Sequence, residues 1–188
     1  MAKPYLLIVT GRPGSGKTTF ARVLGSKIFM PVISRDQIKE GYVHTFGKCH
    51  TELPEDTNRI ATDIFFDTIT NLLETNISLI AEAAFQHTIW SAMLEKYIGI
   101  ASVYLLICKV DDKVALDRFI RRGLDNPLRE YFHGDKGVHL ARQGVELTVS
   151  SYDEPRIDVP TFYIDTSGEY VPSIEELERK ILGLQDIP

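Results

Sequence analysis

"YLLIVTGRPGSGKTTF", residues 5–20, is the stretch that decides the fold. An apolar run enters a loop with glycine at 11, 14 and 16, and a lysine and two threonines follow at 17–19. Gly11, Gly16, Lys17 and Thr18 have the spacing G-x-x-x-x-G-K-[ST], with a strand-like run before it and a helix-like run, "TTFARVLGSKI", after it. Each residue type has a physical job in such a loop. Glycine admits backbone angles closed to other residues, so the N–H groups of Gly11, Gly14, Ser15 and Gly16 can turn inward around an anion. Lys17, Thr18 and Thr19 then open a helix whose positive end faces the same anion. Lys17 is expected to reach the β- and γ-phosphates of a nucleotide and the Thr18 hydroxyl to ligate Mg²⁺, while Pro13 stiffens the turn.

Outward from this loop, apolar runs bounded by turn residues recur at "MPVIS", "ISLIAEA", "ASVYLLICKV" and "TFYIDTS", with helical periodicity between them. Alternating β and α units predict a three-layer α/β fold on a five-stranded, mainly parallel sheet covered on both faces. In "DTNRIATDIFFDTITNLLET" the apolar residues Ile60, Ile64, Phe65, Ile69, Leu72 and Leu73 recur at helical spacing and predict a core-facing helix. "SIEELERKILGL" closes the chain, with Ser173 and Glu176 spaced as a capping box.

Composition narrows the function classes. The 188 residues suit a single domain spanning 1–188, large enough to bury a core without disulfides or metals. A net charge of −5 argues against a protein that coats nucleic acid. Two cysteines, Cys49 and Cys108, form no C-x-x-C pair, which points to a reducing, cytoplasmic setting; Cys49 with His44 and His50 falls short of a zinc site. No apolar stretch approaches a membrane span or resembles a secretory leader.

Three further groups of residues could carry chemistry. In "VISRDQIKE", Asp36 falls at the carboxyl end of a predicted strand, where ligands collect in open parallel sheets. It could accept a proton from an attacking hydroxyl or help hold Mg²⁺ through a water. Ser34 and Gln37 also match a capping box, which would make Asp36 an ordinary first-turn acid. In "SLIAEAAF", Glu82 leaves a buried strand on the same edge and could orient an acceptor hydroxyl or a metal-bound water. Arg118 and Arg122 are four apart on one helical face, whereas Arg121 points elsewhere; Arg129 follows in a polar, turn-rich stretch, residues 123–137, expected to be a lid. Guanidinium groups of this kind can neutralise the charge of a transferring phosphoryl group. Segment 37–60, with Tyr42, His44, Phe46 and His50, is expected to cover the acceptor, its histidines being surface or hydrogen-bonded residues with no catalytic part.

In order, "GRPGSGKTTFAR", "ISRDQIK", "LIAEAAF", "ALDRFIRRG" and "FYIDTSG" resemble the P-loop kinases related to the polynucleotide 5′-hydroxyl kinase domain, the zeta toxins and chloramphenicol phosphotransferase. The resemblance covers nearly the whole chain and implies a P-loop nucleoside triphosphate hydrolase fold of the kinase-like, AAA-type ATP-binding kind. It implies that Asp36 is the general base, that Arg118 and Arg122 contact nucleotide and transition-state phosphates, and that Thr166 in "IDTSG" lies on the nucleotide side. Two departures stand out. Phage-type polynucleotide kinases carry Asp-Thr-Asn where this chain has Glu82, Ala83 and Ala84, and an arginine that grips substrate phosphate where it has Lys39.

The expectation is therefore an enzyme that transfers the γ-phosphoryl group of ATP, with Mg²⁺, to a hydroxyl of a small molecule or a nucleic-acid end. Catalysis would fall to Asp36, Lys17, Arg118 and Arg122, and acceptor binding to Asp36, Lys39, Glu82 and Arg129. The rival expectation is a nucleotide-dependent switch or ATPase acting through a partner. A GTP reader would show N-K-x-D, and no such motif occurs.

Overall fold

In the computed structural model, which describes residues 3–149 and 151–183, five strands alternate with helices. In chain order the strands are β1 (Tyr5–Thr10), β2 (Val32–Ser34), β3 (Leu79–Glu82), β4 (Ser102–Lys109) and β5 (Thr161–Asp165). The helices are α1 (Lys17–Lys27), α2 (Arg35–Phe46), α3 (Thr57–Glu74), α4 (His87–Ile98), α5 (Asp112–Asp125), α6 (Leu128–His133), α7 (Lys136–Arg142) and α8 (Ile174–Leu182). A single 3₁₀ turn, His50–Glu52, lies between α2 and α3. The sheet order is β2-β3-β1-β4-β5, and all four strand pairs are parallel.

The strand sequences explain the two-sided packing. Side chains alternate across a strand, so a strand buried on both faces must be apolar throughout. Leu6, Ile8, Leu79, Ala81, Leu105 and Ile107 face α3 and α4, where Phe65, Ile69, Trp90 and Leu94 complete one core. Leu7, Val9, Ile80, Leu106, Cys108 and Ile164 face the other way, against Phe20 and Leu24 of α1 and Leu177 and Ile181 of α8. The sheet is thus the middle of three layers. Parallel pairing brings every strand's carboxyl end to one edge, and β1, flanked by β3 and β4, delivers the glycine loop to the middle of it.

Local expectations meet mixed outcomes. Ser173 caps α8 as the spacing predicts: its hydroxyl accepts from the Glu176 amide at 3.2 Å, and the Glu176 carboxylate accepts from the Ser173 amide at 2.9 Å. In α3, Ile64 is 39% exposed and Phe66 is buried, because Phe66 joins Phe65, Phe85 and Trp90 in an aromatic cluster. The capping box at the start of α2 does not form: the Ser34 hydroxyl donates to Glu82 Oε2 at 2.7 Å instead. Residues 123–137 are mostly helical, made of the end of α5, all of α6 and the start of α7. Six residues of α6 are too few for helical periodicity to show, and Gly134 ends the helix in the left-handed region.

Candidate active site

The loop after β1 wraps into α1 under tight steric rules. Gly14 has φ +83°, and a Cβ there would stand 2.0 Å from the Ala115 carbonyl oxygen of α5; at Gly11 a Cβ would stand 2.6 Å from the Cys108 carbonyl oxygen of β4. Only glycine lets the loop sit this close to both elements. Thr166, past β5, braces it from the other side: its hydroxyl donates to the Ser15 carbonyl at 2.7 Å and to the Lys109 carbonyl at 3.0 Å. The Ser15 hydroxyl is buried and has no hydrogen-bond partner among the described residues. Thr18 and Thr19 lie in the first turn of α1, Thr18 half-buried and Thr19 exposed.

Lys17 is buried, and its amine lies 4.0 Å from Glu82 Oε1. Burial lowers the Lys17 pKa below the lysine range, with Arg122 adding to the effect and Glu82 and Asp36 opposing it. Glu82 is itself 3% exposed at the end of β3, held by Ser34 on one oxygen and facing Lys17 with the other. A buried carboxylate needs such partners, and these two fix it beside the loop.

Asp36 stands in the first turn of α2, its side chain 51% exposed. Burial works against its charge, but the positive field of His133, Lys17, Arg35 and Arg129 outweighs it and holds the carboxyl below the usual aspartate range. Asp36 is therefore an acceptor-only carboxylate at neutral pH. Arg35 Nη1 lies 3.8 Å from it, and Arg35 Nη2 donates to the carbonyl and side-chain oxygens of Asn58 on α3.

Helix α6 closes one side of this region. The Lys39 amine, buried on α2, donates to the His133 carbonyl at 3.0 Å, and the His133 ring meets Glu40 at 2.8 Å. Arg129 Nη2 donates to Asp135 at 3.3 Å, and its charge is felt by Asp36, Lys39 and Arg122. His50 lies against Gly134, and the His44 ring is 5.8 Å from that of Phe132. His44 is exposed on α2.

The structure thus gathers Lys17, Glu82, Asp36, Lys39, Arg122 and Arg129 around one end of the sheet. Arg118 and Arg122 share a face of α5 but reach different places. Both terminal nitrogens of Arg118 donate to the Thr166 carbonyl at 3.3 Å, whereas Arg122 feels Arg129, Asp36, Asp135 and Glu82. Arg121 points elsewhere, as its spacing predicts, and pairs with Asp117 on the surface. Sequence reasoning missed Arg35, His133 and Asp135. Arg35 was visible beside Asp36 in "SRDQ", but its partner Asn58 lies across a helix boundary; nothing in the sequence marks His133 or Asp135.

Comparison with known proteins agrees with this fold. A family model described as AAA domain matches residues 6–141. The chain belongs to that family. Its fold is that of the P-loop kinases. It is similar to a candidate kinase from Chloroflexus aurantiacus, with a TM-score of 0.74, 21% identity and coverage of 97% of this chain and 96% of the other. It is also similar to a gluconokinase from Sinorhizobium meliloti, with a TM-score of 0.54, 16% identity and coverage of 97% of both chains. The APS kinase of Mycobacterium tuberculosis, solved with AMPPNP and APS, gives a TM-score of 0.58 at 16% identity, with coverage of 97% and 98%. No curated protein matches the sequence. Among the described residues no helix is long and apolar enough to cross a membrane.

Proposed function

We propose that this protein is an ATP-dependent phosphotransferase that moves the γ-phosphoryl group to an acceptor hydroxyl. The observation that carries this reading is a half-exposed carboxylate kept ionised at the edge of the phosphate loop: Asp36 and Lys17 each feel the other's charge. In the proposed step, Asp36 accepts the hydroxyl proton as the acceptor oxygen bonds to the γ-phosphorus. The bond from that phosphorus to the bridging oxygen breaks, and ADP leaves. Lys17 and the loop amides hold the β- and γ-phosphates, and Arg122 offsets the charge that spreads over the transferring group. Arg118, with Thr166 behind it, belongs to the nucleotide side. Glu82 positions Lys17.

The residues present fit a nucleotide with its Mg²⁺. The unpartnered buried hydroxyl of Ser15 at the end of the loop is followed, after Gly16, by the buried amine of Lys17 and the Thr18 hydroxyl in the first turn of α1. Among the described residues no group of three or more His, Cys, Asp or Glu side chains is placed to hold a metal. A phosphate-bound Mg²⁺ needs only one or two protein donors, the Thr18 hydroxyl and, through a water, Asp36. When bound, the ion would draw charge from the phosphate oxygens.

The test is ADP release from Mg-ATP across a panel of hydroxyl acceptors: nucleosides, 5′-hydroxyl oligonucleotides, sugar acids and phenicol-type antibiotics. One acceptor is expected to raise turnover well above the rate in water. Asp36→Asn should then lower kcat by about 10²- to 10⁴-fold with ATP affinity little changed, the loss expected for a general base. Lys17→Ala should weaken nucleotide binding. If no acceptor raises turnover and Asp36→Asn matches the parent, the transferase reading is abandoned for a nucleotide switch acting through a partner.

A further inference from the structure

The phosphotransferase reading leaves the acceptor open, and the positive charge around Asp36 narrows it; the narrower acceptor class rests on that reading. The Lys39 amine, which stands where phage-type polynucleotide kinases carry an arginine, is already engaged by the His133 carbonyl and is 4% exposed. It ties α6 to α2. Two other cations are not fully engaged in this way. The side chains of Arg35 and Arg129 are each 14% exposed, and each is anchored through Nη2, to Asn58 and to Asp135 respectively. The Nε of each is buried without a hydrogen-bond partner among the described residues.

An unpaired buried guanidinium N–H costs free energy unless a ligand or water completes it. Two of them, both acting on Asp36, are a stronger signal than one. The local charge points the same way. Arg35, Lys39, Arg129 and Arg122 act on this region, and the carboxylates whose fields oppose theirs there are Asp36, Asp135 and Glu82. Glu82 is committed to Ser34 and Lys17, which leaves four cations against two carboxylates, Asp36 with Arg35 Nη1 at 3.8 Å and Asp135 accepting from Arg129. The surplus survives in a protein whose overall charge is −5. With Nη2 of each guanidinium already engaged, its Nε–H remains to donate a charge-assisted hydrogen bond to an oxygen of a carboxylate, phosphate or sulfate.

We infer that the acceptor is a small hydroxyl compound bearing an oxyanion, a carboxylate or a phosphate, and that Arg35 and Arg129 bind that group while its hydroxyl faces Asp36. A small molecule fits better than a nucleic-acid strand. Helix α6 is tied to α2 through Lys39 and His133, and His50 of the 3₁₀ turn lies against Gly134, so packed helix and turn border this side of the region rather than an open groove.

The first experiment titrates inorganic sulfate against the purified full chain by calorimetry, in the parent, Arg35→Gln, Arg129→Gln, Arg129→Lys and Lys17→Ala. Sulfate binding that weakens about tenfold or more in each glutamine variant and persists in Lys17→Ala supports the inference, the size being that of a lost charge-assisted hydrogen bond. Arg129→Lys, which keeps the charge but not the fork, should fall between, and a thermal melt of each variant separates lost binding from lost folding. A sulfate affinity that follows Lys17 alone, or that is unchanged in both glutamine variants, overturns it. The second arm compares ADP release with hydroxy acids, with sugar phosphates and with their neutral esters and alcohols. Stimulation by one anionic class, with KM raised about tenfold or more by Arg129→Gln and kcat little changed, supports the inference and says which anion is read. Stimulation by neutral acceptors or by 5′-hydroxyl oligonucleotides alone overturns it and leaves the phosphotransferase reading standing. Sulfate binding through Arg35 and Arg129 in a protein that does not bind ATP would instead sink the proposed function and keep the anion site.

Discussion

Lys39 shows how one residue's meaning depends on what it touches. The resemblance to polynucleotide kinases made it an acceptor-binding cation, and it lies in the right region, but its amine is turned to the His133 carbonyl 94 positions away. Burial, with Arg35 and Arg129 adding to it and Asp36 and Asp135 opposing, lowers its pKa from 10.5 to about 8. The sign of the consequence comes from proton counting. Below about pH 8 the ammonium is charged in folded and unfolded chains alike, and its desolvation counts against the fold. Between that value and the ordinary lysine pKa the folded protein has released a proton that the unfolded chain still holds, so this residue's contribution to stability rises with pH. Urea midpoints measured between about pH 7.5 and about pH 10 should therefore show a rise that Lys39→Met removes. Asp36 is the opposite case. Its lowered pKa keeps it ionised well below neutrality, so the pH profile of turnover should show no acid limb from this group above about pH 5.

At the scale of elements, sequence signals worked where they were local. The capping box of α8 joins residues three apart, and both of its hydrogen bonds form. Ser173→Ala is expected to cost about 1 kcal/mol, read as a lower urea midpoint with an unchanged slope. The matching pattern at Ser34 and Gln37 failed because a stronger claim on the Ser34 hydroxyl arrives from β3, where the buried Glu82 carboxylate needs a donor. Residues 123–137 likewise depend on tertiary contacts. Its polar composition suggested irregular chain, yet Leu128 to His133 form α6, which is held by contacts with α2 and the 3₁₀ turn and not by its own periodicity.

For the whole molecule, the two cores on either side of the sheet are the main source of stability. Leu106, at the centre of β4, is fully buried against α1 and α8, and Leu106→Ala should cost about 2–5 kcal/mol, measured by denaturant unfolding. The sequence by itself determined the inner strands β1, β3 and β4, because strands buried on both faces must be apolar along their length, and it determined the phosphate loop through its glycine and lysine spacing, whose need the close approach of Gly14 to Ala115 explains. It also placed Lys17 and Asp36 at the sheet's carboxyl edge, since each lies a residue or two beyond a strand or a strand-adjacent loop. Tertiary structure alone decided who partners whom there. Ser34 and Glu82 are 48 positions apart, Arg35 and Asn58 are 23 apart, and Lys39 and His133 are 94 apart. Burial sets which of these hydrogen bonds are worth making, and burial is a property of the packed chain.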